Sequence, residues 1–229
     1  MNVREPRNRY LSPAEAKRFY DRLGSRQDWQ GFYENPAINA LIEHAGFDSA
    51  HSVIEFGCGT GTLAARLLRE HLPAKATYLG ADISSTMVSL AQERLKPWSE
   101  RARIHQSDGS PRIAEPDHSF DRFVSTYVFD LLAPDFIDHL LSEARRLLVS
   151  EGKLCLVSMT FGRSPLSRAV CWGWKRLWRP QSEHRGRLPS SRTLGVFADR
   201  LVETRLPDQG DKLGYHFGSP RSLGAVVFP

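Results

Sequence analysis

The chain has 229 residues, of which 41% are apolar and 25% charged, with a net charge of +5 and a sequence pI near 9.3. That suits one soluble α/β-sized domain with extra segments and a substantial core. No apolar run approaches the ~20 residues of a bilayer span, and the charged start MNVREPRNRY has no apolar signal core.

The three cysteines, Cys58, Cys155 and Cys171, lie too far apart for a metal knuckle, and the eight histidines are dispersed, so no metal site is expected. Buried free thiols in a reducing cytoplasm fit this usage. The basic residues are scattered, except in Arg163–Arg192, where they concentrate.

In chain order, the head reads as helices. AEAKRFYDRLG and NPAINALIEHAG carry apolar residues at helical spacing and each stops at a glycine, with the aromatic-bearing SRQDWQGFYE between them. HSVIEF is then a first strand, TLAARLLREHLP a helix closed by Pro73, and ATYLGADIS a second strand. SSTMVSLAQERL is a helix opened by Ser84 or Ser85, ARIHQSDG a third strand and SFDRFVSTYVF a fourth. PDFIDHLLSEARRLLVSEG is expected as a helix with proline at its start and glycine just past its end, and KLCLVSMT as a fifth strand. Strands alternating with helices predict a parallel sheet covered on both faces.

After Phe161 the alternation breaks into an insertion. The tail holds a weak helix over Thr193–Arg200 and two extended stretches, Val202–Phe217 and Ser222–Phe228, expected as an antiparallel pair. No internal repeat is visible. The 229 residues read as a single domain: a helical cap over 1–50, a core over 51–160, a lid or insertion over 161–190 and C-terminal strands over 191–229.

The chemistry is in VIEFGCGTG. A phosphate loop needs Lys-Ser or Lys-Thr after its last glycine, but Thr62 and Leu63 follow Gly61. A dinucleotide fingerprint needs a third glycine where Thr62 stands. Glu55, at the end of the first strand, also argues against phosphate: unit charges ~4 Å apart repel by about 4 kcal/mol at an effective dielectric of 20. Glu55 suits a ligand amino group, and a ligand carboxylate could lie on the amides of the next helix.

Asp82 ends the second strand about 20 residues on, where a carboxylate accepts from ribose hydroxyls. Asp108 and Gly109 end the third, where a carboxylate can accept from an exocyclic amine such as that of adenine. Three acids on successive strand ends thus match an amino acid, a ribose and an adenine with no phosphate between them, which is S-adenosylmethionine.

EFGCGTG, GADIS and QSDG, in this order and spacing, resemble the cofactor motifs of class I S-adenosylmethionine-dependent methyltransferases of the small-molecule type. The resemblance covers Ser52–Thr160 and implies a doubly wound, Rossmann-like, mostly parallel seven-stranded sheet with its last strand antiparallel. It implies that Glu55 and the backbone of Gly57, Cys58 and Gly59 face the methionine part and that Asp82 holds the ribose. Ile83 and Met87 would flank the adenine, Asp108 beside Gly109 would bind its amino group, and Thr126 and Tyr127 would line the methyl-transfer side. FYDRLG resembles the cap helix of such enzymes, in which Tyr20 would close over the cofactor.

No decisive base is legible. STYVFDLL stands where amine methyltransferases often carry an Asn/Asp-Pro-Pro-Tyr/Phe run, leaving Asp130 and His139 as weak candidates. Each has a plain alternative, a turn cap and a helix-surface histidine.

In PLSRAVCWGWKRLWRP, Leu166, Val170, Trp174 and Leu177 share one helical face and Arg168, Lys175 and Arg179 the other. This helix, over 165–180, is either a lid on the acceptor pocket or a peripheral membrane contact; nucleic acid is the least favoured partner. The expected activity is methyl transfer to a small or lipid-like acceptor at O, N or C. Its rivals are a non-catalytic cofactor-binding protein, a membrane-surface or nucleic-acid-directed methyltransferase, and a nicotinamide oxidoreductase. The acceptor and the oligomeric state are not legible.

Overall fold

The computed structural model describes residues 10–159 and 223–228. The insertion over 161–190, the expected helix Thr193–Arg200 and the expected strand Val202–Phe217 lie outside the described residues.

The elements run α1 (Pro13–Leu23), α2 (Gly31–Ala45), β1 (Ser52–Phe56), α3 (Thr62–Glu70), β2 (Thr77–Asp82), α4 (Ser85–Arg94), β3 (Ala102–Gln106), β4 (Phe120–Thr126), α5 (Pro134–Leu147), β5 (Leu148–Met159) and β6 (Leu223–Phe228). A 3₁₀ segment, Gly24–Gln30, joins the first two helices. The sheet order is β3-β2-β1-β4-β5-β6. The first five strands are parallel, and β6 pairs antiparallel with β5 through Leu154–Met159. The expected sheet had seven strands; six are present among the described residues.

Strand alternation sends successive side chains to opposite layers. Val53, Tyr78 and Val124 join a core with Leu41, Phe47, Leu67 and Ala91, beneath α2, α3 and α4. Their chain neighbours Ile54, Leu79 and Phe123 join Leu140, Ala144 and Leu147 of α5 on the other face. Both faces are therefore dry, as the apolar runs require. Strand order reverses between β1 and β4, opening a crevice at the carboxyl ends of the strands.

Two boundaries depart from the sequence reading. α2 begins at Gly31, upstream of Asn35. α5 stops at Leu147, not at Gly152, because the segment before β4 captures its last carbonyls: His118 N–H donates to Arg146 O and Ser119 N–H to Leu147 O, both at 2.9 Å. Leu148 then pairs with Phe120, and the register shifts before Arg122 meets Lys153. Gly152 sits inside this irregular strand, where a Cβ would come within 2.9 Å of the Leu148 side chain and the Val149 carbonyl. It serves a close backbone approach, not a helix cap.

Candidate cofactor and active site

The crevice holds a cavity of about 370 Å³. Its floor is the glycine turn after β1, its sides are the ends of β2 and β4, and its roof is the segment from Tyr10 through α1 to the 3₁₀ turn.

The turn is built by backbone contacts. Gly57 and Cys58 N–H both donate to Ala81 O (2.7 and 3.1 Å), Gly59 N–H to Asp82 Oδ2 (2.9 Å) and Gly61 N–H to Cys58 O (3.0 Å). Gly57 has φ +78°, and a Cβ there would lie 2.2 Å from Val128 Cγ2. Glycine is obligatory at that position for both reasons. α3 opens on Gly61 without a side-chain cap, and Thr62 and Leu63 line the cavity.

Glu55 lines the cavity yet is 1% exposed. It shares the Val53 face, and the Tyr78 hydroxyl, from the fully buried side of β2, donates to its Oε2. Burial pushes the Glu55 carboxyl up to about 7, against the Tyr78 hydrogen bond and with the charge of Asp82 adding to the rise. A buried acid on a cavity wall favours a cationic partner there.

Asp82 also lines the cavity. Its Oδ2 accepts from Gly59 N–H and its Oδ1 from Ser84 N–H, both at 2.9 Å. Burial raises its pKa, and these two amides oppose the rise. The Ile83 amide also opposes the rise, and the carboxylate keeps acceptor capacity for a ligand hydroxyl.

Ile83, Gly109, Thr126, Tyr127, Tyr20, Cys58, Gly57 and Gly59 reach the cavity wall as well. The buried Cys58 thiol, held well above its usual pKa first by burial and then by Glu55, is inert as a nucleophile. Tyr127 has φ +60°, an uncommon backbone for a bulky side chain, and its N–H donates to Val157 O at 2.7 Å.

Four expected residues are not brought there. Met87 is on the buried face of α4 and does not line the cavity. Asp108 is exposed and turned to its own loop, where Oδ1 accepts from Ser110 N–H at 2.8 Å. Ser107 and Gly109 flank it on the wall instead. Asp130 is buried off the cavity, accepting from the Ser158 hydroxyl. His139 is exposed on α5 with Nδ1 2.7 Å from Asp135 O. Among the described residues no three His, Cys, Asp or Glu side chains gather to hold a metal ion.

The sequence reading missed the devices that hold the roof. Asp21 of α1 accepts from Ser84 Oγ (2.6 Å) and Thr86 N–H (3.3 Å) at the start of α4. Lys17 donates to Asp21 at 2.6 Å, and that bond, with the one from Ser84, holds the Asp21 carboxyl far below the usual range. Asp28 accepts from Thr60 Oγ1 and Arg94 Nη2, each at 2.6 Å. Burial pushes the Asp28 carboxyl up, but Arg94 and Thr60 outweigh it and hold it low. Both aspartates sit in the head with partners more than sixty residues away, so no local pattern announces them. Also missed was the apolar wall after β4, Val128, Leu131, Leu132 and Phe136.

Residues 53–152 match the family model described as a methyltransferase domain. The chain is 28% identical over 156 residues to the tRNA N(3)-cytidine methyltransferase of Danio rerio, covering 66% of this chain and 42% of that protein. It is 29% identical over 128 residues to the ubiquinone/menaquinone biosynthesis C-methyltransferase of Cupriavidus necator, covering 56% and 51%. The chain thus spans about half the length of the curated relatives it matches. A solved S-adenosyl-L-methionine-dependent methyltransferase from Methanococcus maripaludis, described as putative in its own name, shares the fold with a TM-score of 0.63 at 17% identity, over 100% of this chain and 96% of that one. Sheet order, glycine turn, buried acid and family match agree: residues 53–152 match a methyltransferase domain, on the fold of solved S-adenosylmethionine-dependent methyltransferases.

Proposed function

We propose that the chain transfers a methyl group from S-adenosylmethionine to a small or lipid-like acceptor, as a single domain over its 229 residues. The observation that carries this is Glu55, an acid buried at the end of β1 on the cavity floor, where a ligand ammonium is favoured and a phosphate is not.

The roles divide along the cavity. Glu55 would receive the ammonium of the methionine end, and Arg66, which lines the mouth while donating to Asn39 Oδ1 at 2.7 Å, would face its carboxylate. Asp82 would hold the ribose hydroxyls, and Ile83, Ser107 and Gly109 would surround the adenine. Tyr20 and the Tyr10–Pro13 segment would close the roof.

When bound, the cofactor supplies a methyl already activated on a sulfonium. What remains for the protein is alignment and exclusion of water. Thr126 and Tyr127 stand at the end of β4, and the wall beyond them is Val128, Leu131, Leu132 and Phe136. That wall favours an uncharged acceptor surface, which must bring an oxygen, nitrogen or carbon that is nucleophilic by its own chemistry. Asp130 and His139 stand off the cavity wall, and neither is assigned a role as base.

A second reading has support. The Danio rerio relative is named for tRNA, as is a relative from Vibrio campbellii, and the chain is basic, so the sequence expectation against nucleic acid is not upheld. Peripheral membrane contact through 165–180 belongs to the first reading as a route to lipid-like acceptors. No helix among the described residues is long and apolar enough to cross a membrane.

The deciding experiment incubates the protein with methyl-labelled S-adenosylmethionine and separated cell fractions, with Glu55→Lys as control. Label in the small-molecule or lipid fraction, lost in the variant, supports the first reading. Label in the RNA fraction transfers the conclusion to the second. Cofactor binding by calorimetry with no label in any fraction favours the non-catalytic rival.

A further inference from the structure

The roof also brings a polar group to the floor. Gln27 sits in the 3₁₀ turn between α1 and α2 and lines the cavity. Its amide lies against the glycine turn: a Cβ on Gly59 would be 3.2 Å from Nε2, 3.5 Å from Oε1 and 3.6 Å from Cδ. Its Oε1 is buried and, among the described residues, has no hydrogen-bond partner. Buried acceptors are almost always satisfied, so an orphan on a cavity wall calls for the group that satisfies it.

The next residue explains why Gln27 does not relax out. Asp28 is held by Arg94 and by the hydroxyls of Thr60 (2.6 Å) and Thr62 (3.2 Å). Thr60 and Thr62 flank the last glycine of the same turn. The segment is thus fastened to the floor on one side of Gln27, which lines the cavity with its amide against Gly59.

An ammonium carries three donors, and Glu55 can take one or two of them. A neutral acceptor on the same cavity as the buried acid completes the set without adding a third carboxylate to a site already holding Glu55 and Asp82. We propose that Gln27 is a cofactor-recognition residue, its Oε1 accepting from the α-ammonium at the methionine end of S-adenosylmethionine. The cap then does more than cover the site: it reads the amino-acid end of the ligand. This rests on the cofactor assignment above.

Calorimetry on the full chain tests it with two ligands, S-adenosylhomocysteine, which carries the amino-acid end, and 5′-methylthioadenosine, which lacks it. Gln27→Met keeps the length and removes the acceptor; Gln27→Ala removes the chain. Both are expected to weaken S-adenosylhomocysteine about tenfold, the loss of one charge-assisted hydrogen bond, and to leave 5′-methylthioadenosine within about twofold. Equal losses for the two ligands would show a merely structural role and overturn the proposal, as would unchanged affinity for both. If the wild type bound neither ligand, the cofactor assignment itself would fall, an outcome distinct from the other two.

Discussion

The floor and the roof of the cavity are held by different means. The glycine turn is fixed by backbone amides on backbone carbonyls, by Asp82 stapling Gly59 to Ser84, and by contacts that leave no room for a Cβ. The roof is fixed by side chains: Asp21 on the start of α4 and Asp28 on Thr60 and Arg94. Backbone geometry in a packed interior admits one arrangement. Ion pairs about one-third exposed, as these are, can open at little cost. The floor is therefore pre-organised for the ligand, while the roof is fastened by contacts weak enough to release a ligand that it covers. Six substitutions in four tests separate the two regions, in order of falling effect.

Gly57→Ala strikes the floor hardest. The alanine would hold φ near +78° with its Cβ 2.2 Å from Val128 Cγ2. Left-handed backbone costs about 1–2 kcal/mol and overpacking about 1–3 kcal/mol. Denaturant unfolding should show a loss of about 2–5 kcal/mol together with loss of cofactor binding. A stable variant with intact binding would mean that the floor yields, and the contrast with the roof would collapse.

Glu55 tests the floor's electrostatics. Burial moves its carboxyl from 4.5 to about 7, which corresponds to about 3 kcal/mol. The folded pKa is raised, so the associated stability is complete below pH 4.5 and lost as pH rises through 7. Relative to Glu55→Gln, the ligand-free wild type should lose about 3 kcal/mol across that window and run parallel outside it. Affinity for the cationic cofactor should climb over the same range, because only the ionised acid pairs with an ammonium. Tyr78→Phe removes a hydrogen bond that favours the ionised form and should move the midpoint of that climb upward. Calorimetry from pH 5.5 to 8.5 reads it, and a flat profile in the wild type would remove Glu55 from the ammonium.

For the roof, Asp28→Asn is the matching change. The Asp28–Arg94 pair is about one-third exposed on each side, so global stability should shift by less than about 1 kcal/mol. Stopped-flow release of cofactor should nonetheless quicken several-fold, because the bond that fastens the cap to the glycine turn is weakened. Unchanged release would mean that the roof is held by its apolar contacts alone.

The floor was legible in the sequence and the fastenings of the roof were not, for the same physical reason. A glycine turn needs particular residues at adjacent positions, so EFGCGTG announces itself, and with it Glu55, Gly57 and Asp82. Strand and helix periods gave β1 to β5 and α1 to α5 because each follows from local alternation. The end of α5 was missed because tertiary capture of the Arg146 and Leu147 carbonyls overrode a plausible glycine stop at Gly152. Asp21 and Asp28 act on partners far along the chain, and Gln27 meets the distant Gly59; one-dimensional pattern carries no trace of such pairs. Met87 was misplaced for a related reason: lying near a cofactor motif does not say which face of α4 a side chain takes.

Asp108 is the smallest effect and the sharpest question about reading a motif. QSDG implied a carboxylate on the adenine amine, but Asp108 is exposed, with Oδ1 on Ser110 N–H at 2.8 Å, a side-chain turn of the kind Asp-Gly favours. Gly109, at φ +88°, is the residue of this pair that meets the roof, since a Cβ there would lie 2.8 Å from Pro13 Cβ. On this geometry Asp108→Ala should change stability by no more than about 0.5 kcal/mol and cofactor affinity by less than about twofold. Gly109→Ala should weaken binding more, by lifting the first turn of α1 off the loop. The opposite order, a large loss at Asp108 and none at Gly109, would show that the acid swings inward when adenine arrives, and that the motif describes the bound state better than the free one.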